Sequence, residues 1–133
     1  MSRRTVQKPS VHSVGIRSSS PVTGVQRRKQ IELVCRAISN RFHPEKIVLF
    51  GSHAHGKSRP ESDIDLLVVM PFDGSPFRQA GVVLDHVVKA VGVIPLDLLV
   101  RTAQQIQERI QMGDTFMRDV VERGQVMYEA DHS

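Results

Sequence analysis

Two apolar runs, KIVLF at 46–50 and IDLLVVM at 64–70, stand so close together that they limit the topology before any other feature does. Each has the length and the aliphatic, β-branched content of a buried strand. Parallel neighbours need a crossover of a dozen or more residues, usually a helix. The segment between these runs, GSHAHGKSRPESD, is interrupted at Arg59-Pro60-Glu61-Ser62, where such a helix would have to run. The two strands are therefore expected to be antiparallel neighbours.

That geometry decides how to read Gly51–Ser58, GSHAHGKS, which fits the phosphate-cradling pattern G-x-x-x-x-G-K-[ST]. A P-loop needs a strand before it and a full helix after it, because the helix N-terminus supplies N–H groups to the phosphates. The strand is present and the helix is not, so a P-loop NTPase is disfavoured on architecture. The remaining elements follow from periodicity. A helix is expected from Val25, with Ile31, Val34, Cys35, Ile38 and Phe42 on one face, ending at His43-Pro44. A second should run over Phe77–Val91 and stop at Gly92. Ile94–Val100 reads as a third strand, and Thr102 should cap a short helix through Ile110. Gly113-Asp114 should start another, with Phe116, Val120 and Val121 inward, before an edge strand at Val126–Glu129. The fold class is α/β (α+β): a small mixed β-sheet with flanking helices.

Within this frame three acids stand out. Asp63 and Asp65 lie two apart at the start of the second strand and share a face, while Asp97 interrupts an apolar third strand. An ionised carboxylate in such a strand is costly unless something compensates its charge. Converging carboxylates also repel one another. Divalent cations remove that repulsion. Mg²⁺ prefers hard oxygen ligands together with substrate phosphates, and two ions would clamp both ends of a phosphoryl or nucleotidyl transfer. Gly51 would let backbone approach a triphosphate closely, and Ser52 would offer a hydroxyl and an N–H at a short helix start. The competing reading of Asp63-x-Asp65 alone is a turn pair making local hydrogen bonds; the Gly-Ser loop and Asp97 favour catalysis. His53 and His55 lack a recognised structural-zinc spacing.

The pattern Gly51-Ser52-x-Ala54-x-Gly56-x-x-Arg59-x-x-Ser62-Asp63-Ile64-Asp65-Leu66, with Asp97 in PLDLLV and the ending GQVMYE, resembles the minimal nucleotidyltransferases of the DNA polymerase β superfamily over about residues 27–130. The resemblance implies that superfamily's fold, ATP or another nucleoside triphosphate as donor, and Mg²⁺ as cofactor. It implies that Asp63 and Asp65 bind metal and that Asp97 completes the metal site or activates the acceptor hydroxyl. Ser52 would hold the β and γ phosphates, with Gly51, Arg59 and Ser62 in the same binding motif. Family members of this size commonly act as antitoxins beside a HEPN-domain ribonuclease toxin, transferring AMP to a tyrosine hydroxyl. A hetero-oligomer with such a partner is the expectation. One departure is His55, where the family often has arginine before Gly56; Lys57 could compensate with a point charge.

Composition bounds the alternatives. The formal net charge is +4, yet residues 1–30 hold seven Lys/Arg and no acid, and residues 31–133 hold 11 Lys/Arg against all 14 Asp/Glu, a net of −3. Direct nucleic-acid binding would call for positive charge on the folded part. Residues 1–24, rich in Ser, Pro and Arg, are read as a disordered basic tail ahead of one domain at 25–133. Cys35 is the only cysteine, which fits a reducing, cytoplasmic setting. No run approaches the roughly 20 apolar residues of a membrane span. Two other functions remain: a non-catalytic module that neutralises its partner by contact, and nucleotidylation of a small molecule such as an aminoglycoside. No second domain is evident to hold such a small acceptor.

Overall fold

A computed structural model describes residues 12–13, 22–56 and 59–131. Helix α1 covers Gly24–Phe42 and begins with a capping box: Gln26 N–H donates to Thr23 Oγ1, and Thr23 N–H to Gln26 Oε1. It ends at His43 in the left-handed region (φ 49°), ahead of Pro44. Strand β2 (Lys46–Phe50) leads through a 3₁₀ turn at Ser52–His55 to β3 (Ile64–Val69). Helix α2 (Pro76–Val91) starts under a Ser75 cap, one residue before the expected position, because Pro76 is preset for a first helical turn. Strand β4 (Leu96–Arg101) begins two residues later than the sequence suggests. Pro95 has no N–H for the ladder, although its carbonyl accepts from Ile64 N–H at 3.0 Å. Helices α3 (Ala103–Gln111) and α4 (Thr115–Arg123), capped by Thr102 and Asp114, precede β5 (Gln125–Glu129).

The sheet has strand order β1-β4-β3-β2-β5, where β1 is His12–Ser13. β2 and β3 are antiparallel, as the short connection requires, and only β3 and β4 are parallel. Their crossover carries α2, which supplies the length that parallel pairing needs. The expected tail at 1–24 falls largely outside the described residues. Of it, His12–Ser13 pair with β4 and Thr23 caps α1.

Strand alternation divides the core in two. Ile47, Leu49, Ile64, Leu66, Leu96 and Leu98 pack with α1 and α2 on one face. Val48, Phe50, Leu67, Val69 and Leu99 pack with α3 and α4 on the other. Met117 takes an inward position on α4 that periodicity does not assign, whereas Val121, expected inside, is 42% exposed and borders an open cavity.

Cys35 sits in the first core, 6% exposed, and burial pushes its thiol up to about 12. The folded state therefore holds the neutral thiol, and stability falls as pH rises from the unfolded thiol's range near 8.5 toward 12. A thiol reagent at pH 8 should leave the native protein unmodified and label it fully in guanidinium. Rapid native labelling would mean that α1 lifts from the sheet.

Candidate active site

The antiparallel β2–β3 pair places Phe50 opposite Asp65, and the parallel β3–β4 pair places Asp97 beside Asp65. Asp65 is 5% exposed and Asp97 half-buried. Both alternate in step with Leu67 and Leu99, so they lie on the α3/α4 face, at the end of the sheet where Phe50 packs edge-on against Phe116. Asp63 is exposed, immediately ahead of β3. Two of the three acids are thus direct neighbours, and the third enters from solvent at the same end.

Gly51 closes over Asp65. Its backbone, at φ 74° and ψ −157°, is in a region essentially reserved for glycine. A Cβ added there would collide with Asp65 Oδ2. The close approach that Gly51 makes is to the buried Asp65 carboxylate, whereas the sequence reading assigns it to a triphosphate. Ser52 is half-buried at the start of the 3₁₀ turn, where Ala54 N–H donates to Gly51 O at 3.2 Å. Arg59 is exposed and Ser62 half-buried; they form one turn through Ser62 N–H donating to Arg59 O at 3.0 Å. Lys57 lies outside the described residues. His55 is exposed.

Two contacts invisible in the sequence tie that turn down. His53 Nε2 lies 2.8 Å from Ser62 O; a carbonyl only accepts, so Nε2 carries the proton and donates it. Arg27 is 3% exposed, donating from Nε to Pro60 O at 2.5 Å and from a terminal nitrogen to Gln30 Oε1 at 2.7 Å. Burial holds the Arg27 guanidinium below its ordinary value, opposed by the nearby charges of Asp63 and Glu61.

A divalent cation fits this donor set. The glycine leaves the Asp65 carboxylate uncovered by any side chain at position 51, and every acidic donor is a hard oxygen. Among the described residues no three of His, Cys, Asp and Glu form a ready cage. For Mg²⁺ that is no obstacle, since it is ordinarily held by one or two carboxylates with water and substrate phosphates completing the shell. A separate cavity of about 290 Å³, bordered by Lys46, Val69, Ile106 and Val121, lies at the opposite end of β2 and β3. It is remote from the acids. No helix among the described residues is long and apolar enough to cross a membrane.

Comparison with known proteins identifies the family. Residues 28–126 match the nucleotidyltransferase domain family. The chain is 30% identical over 106 residues to a Methanocaldococcus jannaschii protein named as a candidate protein adenylyltransferase, covering 78% of this chain and all of the relative. The crystal structure of a candidate nucleotidyltransferase from Sulfolobus solfataricus superposes with a TM-score of 0.53 at 17% identity. That superposition covers 85% of this chain and 93% of the other, and shows the shared fold. The chain belongs to the nucleotidyltransferase domain family: it is an enzyme that transfers a nucleotidyl group from a nucleoside triphosphate.

Proposed function

We propose that this enzyme transfers AMP from ATP, with Mg²⁺, to a hydroxyl of a partner protein. The observation that carries the reading is the pairing of Asp65 with Asp97 across β3 and β4, with Gly51 packed against Asp65. The name borne by the Methanocaldococcus relative supports a protein acceptor. A tyrosine of a HEPN-domain toxin is the acceptor that this reading favours, which makes the protein the antitoxin of the pair.

Asp65 and Asp97 would hold the metal, with Asp63 joining them from the solvent side. When bound, Mg²⁺ neutralises the triphosphate and polarises the α-phosphorus. Gly51 gives the phosphates a close approach to backbone, and Ser52 donates to the β and γ oxygens, with Arg59 and Ser62 at the rim. The acceptor oxygen forms a bond to the α-phosphorus while the bond from that phosphorus to the bridging oxygen breaks. Pyrophosphate leaves, and Asp97, half-buried beside Asp65, takes up the hydroxyl proton.

The direct test is incubation of the purified protein with α-labelled ATP, Mg²⁺ and a co-expressed HEPN partner, with an Asp63→Ala/Asp65→Ala double variant alongside. Label on the partner that disappears in the double variant is the expected result. An unlabelled but still inhibited partner would replace catalysis with neutralisation by contact.

A further inference from the structure

Asp63 is the one acid of the three that no strand holds. It follows the turn at 59–62, and its position depends on what fixes that turn. Two side chains from separate elements do so, each through a backbone carbonyl. Arg27, on α1, reaches across 33 residues of sequence to Pro60 O, and His53, in the 3₁₀ turn after Gly51, reaches Ser62 O.

We propose that Arg27 is a positioning residue for the nucleotidyl-transfer site, clamping the 59–62 turn so that Asp63 is held beside Asp65 for a divalent cation. This rests on the metal-site reading above and adds a residue to it. Arg27 lies one residue before the family match, which begins at residue 28, and its acceptor Pro60 lies within it. A buried guanidinium is otherwise hard to justify: it carries a desolvation cost that a simple helix–loop contact between apolar side chains would avoid. What arginine adds is directional donors, here one to Pro60 O and one to Gln30, which itself sits one helical turn along α1. His53 makes the clamp two-pointed and links the Gly51–Ser52 loop to the acid-bearing turn. Its donated proton is on Nε2 in both the imidazolium and one neutral tautomer, so this link survives protonation.

The test uses the whole chain and two readouts. The first needs no metal: amide hydrogen exchange at Ser62, whose N–H closes the turn onto Arg59 O. In an Arg27→Met variant, exchange at Ser62 should rise about tenfold or more, while interior amides of α1 and β3 keep their protection. The second is calorimetric binding of ATP as Mg²⁺ is varied, where the same variant should need about tenfold more Mg²⁺ for half-saturation. Arg27→Lys should recover part of both losses, because an ammonium can reach one acceptor but cannot reproduce the fork. Arg28→Met serves as the control, since Arg28 is exposed and, among the described residues, pairs with Glu32 at 3.8 Å. Unchanged protection at Ser62 overturns the clamp. Protection lost evenly through α1 and β3 overturns it equally, by reducing Arg27 to a general stabiliser. Faster exchange with unaltered Mg²⁺ dependence overturns its link to the metal. A wild-type chain that binds no Mg²⁺–ATP at all would sink the metal-site reading instead, and would be recognised because it fails before any variant is compared.

Discussion

Asp65→Asn should lower nucleotidyl transfer by about a thousandfold or more while leaving the fold intact. Asparagine keeps the shape of the side chain and one carbonyl oxygen, so packing beneath Gly51 is nearly unchanged. It removes the negative charge that a divalent cation would answer. Since Asp65 is buried beside Asp97, the wild-type protein carries two close carboxylates whose repulsion the variant relieves. The thermal midpoint should therefore hold steady or rise, even as activity disappears. That opposition of effects distinguishes a functional acid from a structural one, because losing a structural hydrogen-bond acceptor lowers both. Transfer to the partner by single-turnover assay and a melting curve on the same sample suffice. Full activity in Asp65→Asn would remove the metal from the mechanism.

Much of this site can be read from the chain because its logic is local. Glycine before serine, and two acids two residues apart at a strand start, are patterns whose geometry follows from the backbone's own periods. The strand pairing was equally accessible, since the interrupted connection between residues 50 and 64 leaves β2 and β3 only an antiparallel arrangement. The caps at Thr102 and Asp114 follow from side chains that bond their own neighbourhood. Arg27 belongs to the opposite class. In sequence it is one of seven basic residues in an acid-free stretch, and only tertiary packing brings it to Pro60. His53 is similar: a histidine near acids suggests a metal or phosphate ligand, whereas its Nε2 is committed to a carbonyl. Strand β1 shows no periodicity from which pairing could be foreseen, being two residues within a polar segment. Long-range contacts made by single polar side chains leave no period to detect.

Gly51→Ala should be severely damaging to transfer, and it acts by two separable routes. The first is conformational: at φ 74° and ψ −157° an alanine is strained by about 1–3 kcal/mol wherever it has room. The second is steric, because the new methyl would occupy the place of Asp65 Oδ2. Asp65 cannot retreat easily, being buried between β2 and β4 in the sheet. Either the carboxylate rotates away from Asp97 or the 51–56 turn lifts, and both would dismantle the proposed phosphate and metal positions together. Transfer should fall below detection, with a loss of about 2 kcal/mol or more in denaturant unfolding. A double-mutant cycle separates the routes. In an Asp65→Ala background the steric route is gone, so Gly51→Ala should cost only its conformational share, and the measured coupling should be at least about 1 kcal/mol. Additive costs would mean that the two residues do not meet, and that the glycine serves the turn alone.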